Sequence, residues 1–256
     1  MKTIAIAGGT GMVGRRVVES VRRYGADPIV MARSTGVDLT TGAGLDKVLE
    51  GVDAVIDVTN IVTQNRRRAT EFFETSTRHL LKAEECHGIK HHVLLSIIGI
   101  DRVGLGYYQA KLAQEDLVRQ GPVPWTILRA TQFHEFAAQM LGDRPVAVIP
   151  SMLSQPVAAQ DVADELVRLA TAPAAGMAPE LAGPQEERIP DMARRLASAR
   201  DRRPLVIAVP LPGSTGRGMR TGALLPTGPG PRGTQTFEEW LQDQTVRSFL
   251  TNEGNR

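Results

Sequence analysis

Two patterns of apolar and polar residues alternate along the first two thirds of the chain. Short β-branched apolar runs predict strands, and longer stretches with apolar residues at helical spacing predict helices. The predicted strands are residues 3–7, 28–32, 54–58, 92–96 and 125–129. The predicted helices between them are residues 11–24, 45–50, 65–87 and 107–120. This alternation is typical of βαβ units, so we predict an α/β fold with a doubly wound parallel sheet.

The pattern loosens in the last third of the chain. It predicts helices at 161–170, 190–199 and 236–242, and one more strand at 205–209. Residues 200–233 are rich in Arg, Pro and Gly, a composition that cannot build a packed core, so we expect a loop there. Two roles stay open for this loop, a solvated connector or a lid over a substrate pocket. We expect a single domain over 1–256, with a core at 1–170 and a substrate-side section at 171–256.

Composition narrows the class of protein. The 256 residues are 42% hydrophobic, and 30 basic residues against 28 acidic ones leave a formal charge of +2. A charge this small does not favour nucleic acid or an anionic membrane as a partner, and no apolar stretch reaches the ~20 residues of a membrane span. The single cysteine, Cys86, excludes an internal disulfide and fits a reducing compartment. We therefore expect a cytoplasmic monomer or homodimer whose partner is a small molecule.

A run of glycines follows the first predicted strand. Gly8, Gly11 and Gly14 stand at G-x-x-G-x-x-G spacing at the head of the first predicted helix. Glycines there let the strand turn sharply into the helix and let the backbone approach a pyrophosphate, which the positive helix end favours. A structural tight turn is the alternative, and a nucleoside-triphosphate loop is disfavoured because Arg15, not Lys, follows Gly14. We predict dinucleotide binding.

The end of the second strand decides which dinucleotide binds. An acidic side chain there accepts hydrogen bonds from the ribose of NAD, but this chain has Arg33 and Ser34 at that place. Their donors suit the 2′-phosphate of NADP, whereas Asp38 comes too late for the ribose and is expected near the adenine. The alternative is that Arg33 is an ordinary solvated surface charge. We predict that the cofactor is NADP(H).

Candidate chemistry follows the fourth strand. Tyr107 and Lys111 stand four residues apart at the start of a predicted helix, and Ser96 ends the strand at the carboxyl edge of the sheet. A carbonyl that receives a hydride needs a proton, which a tyrosine supplies, and a nearby ammonium lowers the phenol pKa. We therefore predict Tyr107 as proton donor, Lys111 as pKa modulator and ribose anchor, and Ser96 as partner of the substrate oxygen. Two alternatives stay open: a surface ion pair between Lys111 and Glu115, and Tyr108 in place of Tyr107.

These segments together resemble the short-chain dehydrogenase/reductase superfamily, in particular its atypical NAD(P)H-binding, NmrA-like branch. The resemblance lies in IAGGTGMVG, VMARS, LLSIIGID, YYQAKLAQE and WTILRATQFHEF. It implies a Rossmann-type sheet of about seven strands, with the cofactor across its carboxyl edge, and a small C-terminal substrate-binding section. It implies cofactor contacts at Gly8, Thr10, Gly11, Met12, Val13, Arg33, Asp38, Leu39, Thr59 and Asn60, and at residues 130–133, including Ala130, Thr131 and Phe133.

Several other residues have side chains that could bind a metal ion, bind a substrate or cap a helix. Cys86, His87, His91 and His92 lie at a helix-to-strand turn at the sheet edge opposite the cofactor, so we predict no metal site. His134 and Glu135 follow the fifth strand on the cofactor side, where they either touch substrate or, for His134, cap local structure. Asp161 is expected to cap a helix. The side chains expected in the core or the pocket wall are Phe72, Phe73, Phe133 and Phe136.

The leading functional hypothesis is an NADPH-dependent oxidoreductase that reduces a small, largely apolar carbonyl or conjugated substrate by hydride transfer. The alternative is a regulatory protein of NmrA-like type that binds NADP(H) as a redox sensor and transfers no hydride. A nucleotide-sugar epimerase is disfavoured because the C-terminal section is too short for a nucleotide-sugar site.

Overall fold

The computed structural model describes residues 1–63 and 65–243. In this part of the chain the main sheet has six strands: β1 (Thr3–Ala7), β2 (Asp27–Met31), β3 (Ala54–Asp57), β4 (His91–Ile97), β5 (Trp125–Ala130) and β8 (Gly176–Met177). They are all parallel and lie in the order β2-β1-β3-β4-β5-β8. The parallel α/β fold is confirmed, with six described strands where the resemblance implied about seven.

Helices cover both faces of the main sheet. They are α1 (Met12–Arg23), α2 (Leu45–Val48), α3 (Arg66–Cys86), α4 (Gly106–Gln120) and α6 (Ala159–Thr171). Successive side chains of β1 point to opposite faces. Ile4 and Ile6 therefore join α1 and α6 in one buried cluster, whereas Ala5 and Ala7 join α2 and α3 in another. Both faces of the sheet are buried, as parallel sheets require.

A second core lies beside the main sheet. It is built from α5 (Phe136–Leu141), α7 (Ile189–Ala199), α8 (Gly213–Arg220) and a helical stretch at residues 237–243. Two small sheets accompany these helices: β6 (Val146–Pro150) pairs in parallel with β10 (Leu205–Val209), and β7 (Leu153–Ser154) pairs antiparallel with β9 (Glu187–Arg188). The buried side chains at its centre include Met192, Leu196, Met219, Phe237 and Trp240.

The prediction of a continuous loop over 200–233 is wrong. The segment contains β10, which the apolar pattern predicted, and α8, which it did not. A glycine-rich sequence forms a helix here because Gly216 packs directly on the carbonyl group of Leu211, where a Cβ atom would not fit. Met219 and Leu224 then insert into the second core. Tertiary packing thus overrides the low helix propensity of the segment.

The predicted boundary near residue 170 does not separate the two cores. β6 precedes residue 170 but pairs with β10, and β8 follows it but extends the main sheet. Residues 244–256 of the predicted C-terminal section lie outside the described residues. Within the described residues, every helix is too short or too polar to cross a membrane.

Candidate active site

A cleft of about 1430 Å³ runs along the carboxyl edge of the main sheet. Residues that follow the carboxyl ends of β1, β2 and β3 line one half of it, and residues from the ends of β4 and β5 line the other. Open parallel sheets bind their ligands at this edge, where the helix N-termini also point. All the cofactor and catalytic residues predicted from sequence line the cleft except Ser34, which is exposed outside it.

The glycine run forms a tight cradle at the head of α1. Gly8 adopts a positive φ of 80°, and its carbonyl accepts a hydrogen bond from the Gly11 amide at 2.9 Å. A Cβ atom on Gly14 would collide with the Gly8 carbonyl and lie 2.7 Å from Gly9 Cα, so helix and loop touch through backbone. Gly11 caps the helix without any side-chain hydrogen bond. The first-turn amides of α1 are therefore left for an anion, which fits a pyrophosphate.

The end of β2 carries Arg33 at the mouth of the cleft. Arg33 begins a single turn of 3₁₀ helix over Arg33–Thr35 and is exposed to solvent. Asp38 also lines the cleft, and its Oδ1 accepts hydrogen bonds from the Thr40 amide at 2.9 Å and the Thr40 hydroxyl at 2.7 Å. These bonds lower the pKa of Asp38. The nearby charge of Arg33 lowers this pKa further, and both side chains line the cleft beyond the end of β2.

Tyr107 lies in the cleft but in an environment different from the predicted one. Its hydroxyl donates a hydrogen bond to Asn60 Oδ1 at 2.6 Å. Burial raises the pKa of the Tyr107 phenol, and the neighbouring Tyr108 raises it further. The prediction that Lys111 lowers this pKa is therefore wrong. Tyr108 is more deeply buried, which raises its pKa to about 12, and its hydroxyl accepts a hydrogen bond from Gln132.

Lys111 is fully buried at the floor of the cleft. Its ammonium group donates to the Leu95 carbonyl at 2.9 Å and to Gln114 Oε1 at 2.5 Å, and it lies 4.9 Å from the centroid of the Phe73 ring. Burial lowers the pKa of Lys111 to about 8, against the opposing effect of Asp57 and Glu115. The alternative of a surface ion pair with Glu115 is wrong, since the carboxylate of Glu115 binds Arg119 and Arg129.

Two hydroxyl groups beside the cleft lack protein partners. Ser96 Oγ and Thr59 Oγ1 are buried and make no hydrogen bond within the described residues. A buried polar atom without a partner costs free energy, about 1–3 kcal/mol, which a bound ligand would relieve. Because Ser96 Oγ is enclosed by protein, its predicted role toward a substrate oxygen requires the side chain to rotate. The sequence predicted both residues for this site, but it did not indicate that their hydroxyl groups are buried without a protein partner.

The far wall of the cleft is largely apolar. Ala130, Thr131 and Phe133 line it as the resemblance implied, and Phe72 and Phe136 contribute rings. The Thr131 hydroxyl is committed to the Gln155 carbonyl at 2.6 Å. Sequence reasoning missed further lining residues on α3, on the segment before α4 and on α5, namely Arg68, Glu71, Thr75, Leu105, Gln139 and Met140. The helical period of α3 was the available signal, because Arg68, Glu71, Phe72 and Thr75 share one face.

Three other candidates have structural partners. His134 Nε2 contacts the Gln235 carbonyl at 3.0 Å, and its ring packs against both Phe237 and Trp240, which stack on each other. His134 does not line the cleft. Glu135 does line it and forms an ion pair with Arg16 at 3.0 Å. Asp161 is not a helix cap, because α6 begins after Ala158, and its carboxylate instead accepts the Thr234 amide at 3.0 Å.

The histidines of the α3–β4 turn are also held by neighbours. His91 contacts Thr126 Oγ1 at 2.8 Å, His92 contacts the buried Glu84 at 2.9 Å, and His87 contacts Asp46 at 3.3 Å. Cys86 is exposed. In the described part of the chain, no cluster of three or more His, Cys, Asp or Glu side chains is arranged to hold a metal ion.

Comparison with known proteins assigns the family. A family model described as NAD(P)H-binding matches residues 8–173, which include the glycine cradle and all the strand ends of the cleft. The chain belongs to this NAD(P)H-binding family. A curated relative from Streptomyces griseus, (4-alkanoyl-5-oxo-2,5-dihydrofuran-3-yl)methyl phosphate reductase, is 31% identical over 144 residues. That alignment covers 51% of this chain and 48% of the relative, so the chain matches about half the length of that protein.

Solved structures show the same fold. A short-chain dehydrogenase/reductase superfamily protein from Agrobacterium tumefaciens with bound NAD superposes with a TM-score of 0.70 at 19% identity, over 99% of this chain and 100% of that one. An NADPH-dependent quinone oxidoreductase from Escherichia coli gives a TM-score of 0.68 at 19% identity, over 94% and 99% of the two chains. UDP-glucose 4-epimerase from Bifidobacterium longum gives 0.72 at 13% identity, over 94% and 96%. At these identities the likeness establishes the fold.

The cradle and the comparisons agree on the cofactor class. Backbone glycines, uncapped first-turn amides and the match to the NAD(P)H-binding family all indicate that this cleft binds a nicotinamide cofactor.

Proposed function

We propose that this protein is an NADPH-dependent oxidoreductase that reduces a small, largely apolar carbonyl or conjugated substrate. The observation that carries the proposal is a single cleft that joins the glycine cradle at one end to Tyr107, Lys111 and an apolar wall at the other. Bound NADPH supplies the hydride. A small substrate without charge suits the wall made by Leu105, Phe136 and Met140.

The preference for NADPH over NADH rests on the end of β2. Arg33 presents five N–H donors at the mouth of the cleft, whereas the carboxylate of Asp38 is bound to Thr40. A guanidinium pairs with the 2′-phosphate of NADP and has no comparable partner on NAD. Ser34 is exposed outside the cleft and is a weaker candidate for the second donor.

Tyr107 is the proposed proton donor. The raised pKa keeps its phenol protonated over the physiological range, with the hydroxyl held by Asn60. The oxygen of a reduced carbonyl is a stronger base than a phenolate, so this phenol still donates to it. Lys111 is proposed to hold the nicotinamide ribose through its remaining N–H, and Ser96 to bind the substrate oxygen after rotation.

The named substrate of the Streptomyces griseus relative supports one part of the proposed substrate class, the conjugated carbonyl group. Its name describes an alkanoyl group on an unsaturated lactone that also carries a phosphate ester, so it does not support a substrate without charge. The match covers about half of that protein, so we propose only the shared chemistry, a conjugated or simple carbonyl.

The test is oxidation of NADPH, followed by its absorbance, with a panel of aldehydes, ketones, quinones and unsaturated lactones. We expect turnover of at least one panel member, and a loss of about 100-fold or more in Tyr107→Phe, because a positioned acid contributes about 10²–10⁴-fold. Tyr24→Phe is the matched control, since Tyr24 is 51% exposed and remote from the cleft. Equal rates in wild type and Tyr107→Phe would overturn the assignment of the proton donor.

One observation favours a second candidate, a redox sensor that binds NADP(H) without turnover. Tyr107, Lys111 and Ser96 line one cleft, but each hydrogen-bonding group is bound elsewhere or enclosed. The same assay separates the two candidates. Tight NADPH binding with no oxidation by any panel member would favour the sensor over the enzyme.

A further inference from the structure

A chain of buried hydrogen bonds lies beneath the cleft. Gln114, which is completely buried on α4, accepts the Lys111 ammonium group on its Oε1 at 2.5 Å. Its amide nitrogen donates to Asp57 Oδ2 at 3.0 Å and to Thr77 Oγ1 at 3.2 Å. Every polar atom of this glutamine side chain is therefore used, which fixes its position.

The chain continues from Asp57 to the surface of the cleft. Asp57 ends β3 and is buried, and its second carboxylate oxygen, Oδ1, accepts the Thr59 amide at 2.8 Å. That bond shapes the loop that presents Asn60, which in turn accepts the Tyr107 hydroxyl at 2.6 Å. One carboxylate thus connects the anchor of Lys111 with the partner of Tyr107.

The charges around Lys111 are few and fixed. Asp57 faces it from β3, His92 acts on it from β4, and Glu115 and Tyr107 belong to its own helix. On the α3 side, the Phe73 ring lies against the Lys111 ammonium group, and the Thr77 hydroxyl accepts a hydrogen bond from Gln114. Glu115 is already paired with Arg119 and Arg129. A neutral amide at residue 114 therefore gives the ammonium an acceptor without adding a second carboxylate beside Asp57.

We propose that Gln114, anchored by Asp57, is the positioning residue of the cofactor-binding lysine: it accepts one N–H of the Lys111 ammonium group and holds that group against the Leu95 carbonyl. The link to the cofactor rests on the proposed function, in which Lys111 contacts the nicotinamide ribose. A charged lysine favours the anionic dinucleotide, so cofactor affinity depends on this support.

The first test uses the protein without cofactor. The chain has five lysines, Lys2, Lys47, Lys82, Lys90 and Lys111, so NMR of lysine labelled with ¹³C at Cε resolves each titration, and Lys111→Arg assigns the signal. Gln114→Glu places a carboxylate against the ammonium and should raise the Lys111 midpoint by about 1–3 pH units. Gln114→Met removes the acceptor and should lower it. Gln109→Glu, an exposed position on the same helix, adds the same charge and should leave the midpoint unchanged.

The second test measures the dissociation constant of NADPH from pH 6 to pH 10 by fluorescence. In wild type the affinity should fall above the Lys111 midpoint, and Gln114→Glu should move that fall to higher pH. Gln114→Met should bind NADPH about 10-fold more weakly at pH 7, the effect of one charged hydrogen bond. Circular dichroism and melting curves establish that each variant is folded. Gln114→Glu and Gln114→Met should change the Lys111 midpoint in opposite directions, so the test still works if one of the two variants fails to fold.

The outcomes separate this proposal from the proposed function. Equal Lys111 midpoints in Gln114→Glu, Gln109→Glu and wild type would overturn it, even if melting temperatures differ, because a merely structural glutamine changes stability alone. Shifted midpoints in a protein that binds no nicotinamide cofactor would support the role of Gln114 and sink the proposed function. Shifted midpoints with an unmoved affinity profile would overturn the link between Lys111 and the cofactor.

Discussion

Substituting Gly14 by alanine tests the cradle that the whole cleft depends on. The new Cβ would lie 2.7 Å from Gly9 Cα and 2.8 Å from Gly9 C, where ordinary contacts are 3.4 to 4 Å. The added methyl group also meets the Gly8 carbonyl, so the loop has to retreat from α1 by roughly 1 Å. Backbone in this position moves less easily than a flexible side chain, because the Gly8 amide donates to the Met31 carbonyl of β2 and the Gly9 amide to the Ile6 carbonyl of β1.

We expect Gly14→Ala to lower both the stability of the fold and the affinity for NADPH. Overpacking of this size costs about 1–3 kcal/mol of stability, which a domain with about 5–15 kcal/mol survives. The amides that face the pyrophosphate would move with the loop, so NADPH affinity should fall by about 10-fold or more, the effect of losing one hydrogen bond to a charged group. The assay is a fluorescence titration of NADPH, with urea unfolding to measure stability.

Gly228→Ala is the matched control, because Gly228 is exposed and an added Cβ would meet nothing within 4 Å. It should bind NADPH as wild type does. If a folded Gly14→Ala protein also bound NADPH with wild-type affinity, the argument that the backbone at Gly8 to Gly14 contacts the pyrophosphate would be refuted.

Two further predictions concern charge. Arg33→Ala should weaken NADPH binding by about 10-fold or more and leave NADH binding nearly unchanged. One charged hydrogen bond contributes about 1.5–3 kcal/mol, and the exposure of Arg33 to solvent and salt places its contribution at the low end. Equal losses for both cofactors in a calorimetric titration would contradict the 2′-phosphate assignment. Lys111 has a pKa of about 8 in the folded chain against an ordinary 10.5, so the unfolded chain binds more protons above pH 8. The free energy of unfolding should therefore rise by about 2 kcal/mol between pH 8 and 10. Urea unfolding of Lys111→Met should lack that rise, and an identical rise in the variant would disprove its attribution to Lys111.

The elements of the main sheet could be predicted because each carries a local signal. Apolar runs of five residues bounded by glycine or polar turns identified β1 and β5, and Val13, Val17 and Val21 at helical spacing identified α1. β6 was missed although residues 146–149 form an apolar, mostly β-branched run between two prolines, so its local signal was present. The sequence could not show the partner of this strand, because β6 pairs with β10, far away in the chain.

In the candidate site, too, the positions of the residues could be predicted from local sequence, whereas most of their hydrogen-bond partners could not. Residue types and spacing placed Tyr107 and Lys111 correctly on one helix and in one cleft. Their hydrogen bonds go to Asn60, Leu95 and Gln114, and only Gln114 lies near them in sequence. The direction of the Tyr107 pKa was therefore wrong, because burial, a property of the whole fold, outweighs the charge that sequence spacing suggested.

Calorimetric titration of NADPH and of NADH into the folded wild-type protein tests the central claim most directly. We predict saturable binding of both cofactors at one site per chain, with NADPH bound at least about 10-fold more tightly than NADH, the contribution of one charged hydrogen bond. Binding of neither cofactor to folded protein would contradict the account of the cleft, and equal affinity for the two would contradict the role of Arg33.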